Sequence, residues 1–238
     1  MPLSKDPEKI SSMFDEISGN YDRLNHILSF GIDRSWRRRL VRELSCQIEA
    51  SGSTLCQTKV LDLACGTGDL SALLKKSGFN VVGGDFSREM LRKAKDRNPD
   101  IEFVFADAEN LPFEDNSVDA VTICFGIRNF NNREKALSEI GRVLKPSGIL
   151  AIAEFSIPER YMWKSCYTLY FKHILPTIGG MVSSNKSAYT YLPESAFDFP
   201  APKLFVKEIE SAGFSDVRSI PMTGSVALVY TATIKKQH

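Results

Sequence analysis

Long hydrophobic runs are missing from this sequence. No apolar stretch approaches the ~20 residues that a transmembrane helix needs, so an integral membrane protein is not expected. The opening residues, Met1-Pro2-Leu3-Ser4-Lys5-Asp6, form no apolar signal core. An excess of one charge is missing as well. Lys and Arg number 30 against 29 Asp and Glu, a formal net charge of +1, and nothing in that balance calls for nucleic acid or an acidic partner. Cysteine is sparse: five are scattered without a Cys-x-x-Cys pair. That pattern reads as reduced thiols in a cytoplasmic protein rather than a disulfide frame or a zinc site. No internal repeat or low-complexity tract occurs.

What is present is ordinary globular material. The 238 residues are 43% hydrophobic and 25% charged. That suits one α/β domain over residues 1–238, with residues 1–50 as an N-terminal helical cap and 156–200 as a substrate-side insertion.

The middle alternates strand-like and helix-like runs. Strands are expected over Lys59–Ala64, Asn80–Asp85, Ile101–Ala106, Val118–Phe125 and Ile149–Phe155. Helices are expected over Asp69–Lys76, from an N-cap at Ser87 to Arg97, and over Arg133–Leu144, which Lys145-Pro146-Ser147-Gly148 breaks. Alternation of this kind implies parallel pairing in a doubly wound sheet. After Ser156 the rhythm stops for roughly 40 residues rich in aromatic and apolar types. A helix over Lys203–Ala212 and strands over Phe214–Ile220 and Val226–Ile234 then complete a seven-stranded, mostly parallel sheet.

In such a sheet, ligands bind beyond the C-terminal strand ends at the topological switch point. Cys65-Gly66-Thr67-Gly68 follows the first strand, where glycine admits positive φ and close approach of a ligand. A lone Gly-x-Gly also serves many turns structurally. Context strengthens it: Asp85 ends the second strand, 23 positions after Asp62, where a carboxylate can accept both ribose hydroxyls. A dinucleotide would favour a third glycine at position 71, which is Ser71, and a phosphate cradle, yet the loop holds no Lys or Arg. S-adenosylmethionine (SAM) has no phosphate and carries a cationic sulfonium and a zwitterionic methionine end. The window therefore favours SAM over NAD. Asp107 follows the third strand, where it could meet the adenine amino group. For Asp107 and Asp119 the alternative is turn chemistry, and for Asp119 that alternative is preferred.

With these residues in hand, the chain resembles class I SAM-dependent methyltransferases. More narrowly it resembles the menaquinone/ubiquinone biosynthesis C-methyltransferase family (MenG/UbiE type), from about Lys9 to Thr231. Three stretches carry the narrower resemblance. One runs from Met13-Phe14-Asp15 through Tyr21-Asp22-Arg23-Leu24-Asn25 to Trp36-Arg37-Arg38. Another is Phe125-Gly126-Ile127-Arg128-Asn129. The third is Ala188-Tyr189-Thr190-Tyr191-Leu192-Pro193-Glu194-Ser195, followed by Phe199-Pro200. The resemblance implies methyl transfer from SAM to a ring carbon of a polyprenylated quinol; it covers naphthoquinols and benzoquinols alike, and the compact chain alone favours demethylmenaquinol. It implies cofactor contacts at Thr67, Asp85, Asp107, Ala108 and Cys124, beside Gly66 of the loop. At position 124 relatives often carry Ser; a backbone contact would survive the change, whereas a hydroxyl contact would not. Cys65 and Cys124 otherwise read as small apolar packing residues.

The methyl on a sulfonium is already electrophilic, so no metal is expected. The ring carbon must become a nucleophile, and a quinol achieves this by losing a phenolic proton. Arg128 and Asn129, after the fourth strand, are candidates to stabilise and orient that phenolate; the alternative is that Arg128 pairs with a structural carboxylate. Tyr21, Asp22 and Asn25 would cap the site, or simply pack their helix; Tyr21 is the third candidate for the chemistry. His26 and His173 are not nominated. Arg37-Arg38-Arg39 reads as a solvated helix face, with contact to anionic lipid as the alternative. Tyr161–Val182 is either a core helix or an apolar lid for the prenyl chain, and the latter implies peripheral membrane contact at the inner face. A homodimer is left open. The competing readings are a SAM enzyme acting on a sterol or tocopherol precursor, an NAD-dependent oxidoreductase, and a non-catalytic SAM-binding module.

Overall fold

The computed structural model describes Ile10, Ser12, Met13, Asp15, Ser29 and residues 31–158 and 186–235, with the side chains of 186–190 and Leu192 excepted. The expected Tyr21, Asp22 and Asn25 cap and the Tyr161–Val182 lid lie outside the described residues, as do His26 and His173.

The first long helix, α1 (Asp33–Ala50), buries Trp36, Leu40, Val41, Leu44 and Ile48. Their spacing makes one apolar stripe along the helix. The next elements are β1 (Lys59–Leu63), α2 (Asp69–Lys76), β2 (Asn80–Asp85), α3 (Arg88–Arg97), β3 (Glu102–Phe105), β4 (Val118–Cys124), α4 (Arg133–Val143) and β5 (Leu144–Phe155). Ser87 caps α3 as expected, its hydroxyl accepting the Met90 N–H at 3.0 Å. Helices α5 (Lys186–Asp198) and α6 (Pro202–Ser211) precede β6 (Phe214–Met222) and β7 (Ala227–Ile234).

The described strands form one seven-stranded sheet in the order β3-β2-β1-β4-β5-β7-β6. Every pairing from β3 to β5 is parallel, and β7 runs antiparallel to both neighbours. The expected doubly wound, mostly parallel sheet is therefore present. One boundary differs by more than two residues. β5 begins at Leu144, which pairs with Val118, and regular pairing resumes at Ile149 opposite Ala120. The helix before it ends at Val143, as Lys145-Pro146-Ser147-Gly148 implied, but that segment bulges within the strand, with Ser147 at φ 65°.

Alternate strand residues feed two cores. Val60, Ile149, Ala151 and Ala153 face α1 with Trp36, Leu40 and Leu44. Leu61, Leu63, Leu150 and Ile152 face Leu137, Ile140, Phe205 and Ile209 on the other side. Each large apolar side chain so buried contributes about 1.5–3 kcal/mol. Both faces of the sheet being covered, a ligand site is expected at the C-terminal strand ends. The order around β1 puts the switch point between β1 and β4. No helix among the described residues is long and apolar enough to cross a membrane.

Candidate active site

The glycine loop leaves β1 through a run of left-handed backbone: Ala64 at φ 55°, Gly66 at 57° and Gly68 at 87°. Gly68 N–H closes the turn on Cys65 O at 3.0 Å. At Gly68 a Cβ would stand 2.9 Å from Asn98 Nδ2 and 3.1 Å from Phe103 Cζ, so both angle and space demand glycine. At Gly66 a Cβ would meet nothing within 4 Å. The backbone there faces open space, which is the cradle a closely approaching cofactor requires. Thr67 between them is buried.

Beneath the loop lies Asp62, buried in β1. Its carboxylate accepts Ser71 Oγ–H at 2.5 Å and Thr122 Oγ1–H at 3.0 Å. This ties β1, α2 and β4 together under the switch point. Ser71, standing where a dinucleotide loop would carry glycine, is thus occupied in supporting the turn. Loss of hydration pushes the Asp62 carboxyl up to about 7, against the two hydroxyl donors and Arg37, which favour its charge.

Asp85 ends β2 beside the loop. Its Oδ2 accepts Gly66 N–H and its Oδ1 accepts Ser87 N–H, both at 2.8 Å. Each carboxylate oxygen retains acceptor capacity for a ribose hydroxyl. Burial pushes this carboxyl above the ordinary range, and the two N–H donors oppose the shift. Ser87 Oγ donates to Asp15 at this corner. Asp107 Oδ1 accepts Glu109 N–H at 2.9 Å, the turn chemistry weighed against its cofactor role, and Ala108 beside it is half-buried. Cys124 ends β4 on the far side of β1, and burial pushes its thiol up to about 12. Cys65 is raised for the same reason, so both stay neutral packing thiols.

Arg37 departs from expectation. It shares the inward α1 stripe with Asp33, Val41, Leu44 and Ile48, and only Arg38 of the triplet is exposed. Helical spacing puts residue 37 one turn from both 33 and 41, so a run of three arginines spans two faces. Its Nη1 donates to Asp33, and Nη2 lies 3.8 Å from Asp69 Oδ2 at the start of α2.

Arg128 and Asn129 follow β4 in a short 3-10 turn. Arg128 is 3% exposed and pairs with Glu154 of β5, which is fully buried, Nη1 to Oε1 at 3.1 Å. The alternative of a carboxylate partner is therefore real. Nη1 also donates to Phe125 O, and Nε donates to Ser195 Oγ at 3.3 Å. None of these bonds uses Nη2. Tyr191 Oη donates to Asn129 Oδ1 at 3.1 Å, and burial pushes that phenol up to about 12. The Phe125–Asn129 and Tyr191–Ser195 stretches, more than 60 residues apart, thus meet at the C-terminal end of β4. Phe125, at φ 60°, stacks on Phe155 at 4.6 Å and meets Trp36 of α1 at 5.6 Å, closing the apolar side.

The structure brings Gly66, Thr67, Asp85 and Cys124 around the switch point, with Asp107 and Ala108 after β3. It places Arg128 and Asn129 after β4, and Tyr21 lies outside the described residues. Glu154, Arg37 and Ser195 were missed as site residues. Glu154 had a signal: it is a lone carboxylate in the apolar run Ile149-Leu150-Ala151-Ile152-Ala153-Glu154-Phe155. A charge inside a strand covered on both faces requires a partner.

Comparison with known proteins identifies the family. The sequence model of the ubiE/COQ5 methyltransferase family matches residues 3–234. The chain is 42% identical over 230 residues to the demethylmenaquinone methyltransferase of Chlorobaculum tepidum, covering 96% of this chain and 93% of that one. It is 45% identical over 215 residues to the ubiquinone/menaquinone biosynthesis C-methyltransferase UbiE of Campylobacter jejuni, covering 87% and 89%. Among solved structures, a SAM-dependent methyltransferase of Thermotoga maritima superposes with a TM-score of 0.64 at 18% identity, covering 94% of this chain and 99% of that one; this likeness speaks for the fold alone. On the family match and these identities, the chain belongs to the ubiE/COQ5 methyltransferase family.

Proposed function

We propose that this protein transfers a methyl group from SAM to a ring carbon of a polyprenylated quinol, converting demethylmenaquinol to menaquinol. The observation that carries the reading is the junction of Arg128-Asn129 with Tyr191 and Ser195, beside the open glycine cradle. Relatives named for this chemistry at 42–46% identity support it.

When bound, SAM supplies a methyl on a sulfonium, electrophilic without further activation. The chain's own task is to hold it and to prepare the carbon. Gly66 offers backbone at close range, Asp85 accepts the ribose hydroxyls, and Asp107 with Ala108 borders the adenine. Beyond β4, Arg128 Nη2 faces a developing phenolate while Glu154 and Ser195 fix the rest of the guanidinium. Asn129, oriented by Tyr191, directs its amide N–H groups to the same oxygen. Loss of the phenolic proton to solvent would raise electron density on the ring carbon, methyl transfer to that carbon would release S-adenosylhomocysteine, and loss of the ring C–H proton with return of a proton to the phenolate oxygen would restore the aromatic quinol. Orientation alone contributes on the order of 7–11 kcal/mol at best in such a transfer. Because the prenyl tail partitions into a bilayer, the protein meets its substrate at a membrane surface, as a peripheral contact.

Purified protein with methyl-labelled SAM and chemically reduced demethylmenaquinone is expected to yield labelled menaquinol, and none from the oxidised quinone. Running 2-methoxy-6-polyprenyl-1,4-benzoquinol alongside tests the ubiquinone-type alternative. SAM binding without any methylated quinol would overturn the assignment.

A further inference from the structure

Arg37 is turned inward beside the glycine loop, where it meets the buried Asp33 through Nη1 and faces Asp69 through Nη2. Asp33, buried and held by Ser29 Oγ–H at 2.7 Å, anchors it through Nη1. That anchor fixes the direction of the fork. Nη2 then lies 3.8 Å from Asp69 Oδ2, close enough for charge attraction and beyond hydrogen-bonding distance. Asp69 directly follows Gly68, so the pair stands at the rim of the loop. Position along the sheet is equally defined. Trp36, the residue before Arg37, touches Phe125 at the end of β4, whereas Asp85 lies on the opposite flank of β1 at the end of β2.

The methionine end of SAM carries a carboxylate and an ammonium on one carbon. Arg37 and Asp69 present the opposite signs 3.8 Å apart, on the β4 side of the loop, with the ribose acceptor on the β2 side. A guanidinium fork matches a carboxylate with two parallel N–H groups. We propose that Arg37 receives the α-carboxylate of SAM, with Asp69 offering the opposite charge to the ammonium. This assignment rests on the reading of the loop as a SAM site. It gives the chain a second determinant of cofactor identity, at the end of the molecule that a nucleoside cannot report.

Calorimetric titration with SAM and with decarboxylated SAM, which lacks only the carboxylate, tests it. The wild-type protein is expected to favour SAM, and Arg37→Met to lose about ten- to a hundredfold in SAM affinity while keeping its affinity for decarboxylated SAM. Arg37→Lys is expected to recover part of the loss, since it keeps the charge and loses the fork. Equal weakening of both ligands in Arg37→Met, or no weakening of either, overturns the assignment while leaving the SAM reading intact. Absence of SAM binding by the wild-type protein overturns both.

Discussion

Tyr191 of α5 donates its hydroxyl to Oδ1 of Asn129 at 3.1 Å, across 62 positions of sequence. The bond leaves the Asn129 amide nitrogen pointing away from Tyr191, and the phenol, pushed up to about 12 by burial, remains a donor at neutral pH. Tyr191→Phe keeps the ring and removes the bond. The expected stability loss is about 1 kcal/mol. If Asn129 orients the quinol oxygen, kcat should fall about tenfold while KM for SAM stays unchanged. Steady-state kinetics with reduced demethylmenaquinone separates the two effects, and an unchanged kcat would make the bond purely structural.

Glu154 and Arg128 form a buried ion pair, with Glu154 also accepting the Arg128 and Phe155 backbone N–H groups at 3.2 and 2.9 Å. Glu154→Gln leaves a guanidinium charge without its counter-ion in a dry site. Such a change costs about 3–5 kcal/mol, to be read from urea denaturation midpoints. The double variant Glu154→Leu with Arg128→Met removes both charges and is expected to regain most of that stability while losing methyl transfer. Retained activity in the double variant would show that Arg128 does not act on the substrate.

Much of the frame was legible because it rests on local rules. Asn80–Asp85 and Asp69–Lys76 appear with the expected bounds, since β-branched runs, a helix N-terminus after glycine and Gly78 are all local signals. Asp119, expected to be structural, accepts Lys59 N–H at 2.8 Å and Lys145 Nζ–H at 2.7 Å. The partner of Arg128 was not legible. It follows from the pairing of Cys124 with Ala153, which sets the residues after β4 beside Glu154, and such register is invisible in a single sequence. Helix α5 was hidden by Pro193, which lies inside it. Arg37 was hidden by its neighbours, because the triplet of arginines looks uniform until the phase of α1 is known.

Asp85 accepts one backbone N–H from the loop, that of Gly66, and one from Ser87 at the start of α3, and stands where a ribose diol is expected. Asp85→Asn keeps the shape and one acceptor oxygen but replaces the other by a donor, which faces either Gly66 N–H or Ser87 N–H. SAM affinity is expected to fall by about 1.5–3 kcal/mol, the worth of hydrogen bonds to a charged group. 5′-Methylthioadenosine, which has the same ribose without the methionine end, should lose as much. Calorimetry with both ligands checks this, and a loss confined to SAM would place Asp85 elsewhere than on the ribose.

Asp62 gives the fold a dependence on pH whose sign is opposite to that of a salt-bridged carboxylate. Burial pushes its carboxyl from 3.8 up to about 7, while Ser71, Thr122 and Arg37 favour the charged form and Asp85 opposes it. The folded chain therefore binds this proton more tightly than the unfolded chain does. Stability from Asp62 is fully present below about pH 4, declines as pH rises, and is lost once pH passes about 7. Asp62→Asn keeps an oxygen for one hydroxyl and cannot ionise, so it removes that slope. Urea denaturation at pH 5 and pH 8 is expected to show the variant gaining on the wild type by a few kcal/mol over the interval, at about 1.4 kcal/mol per pH unit where the slope is full. A wild-type chain whose difference from Asp62→Asn is the same at both pH values would mean that Asp62 is already ionised at pH 5, with its two hydroxyl donors outweighing the loss of hydration.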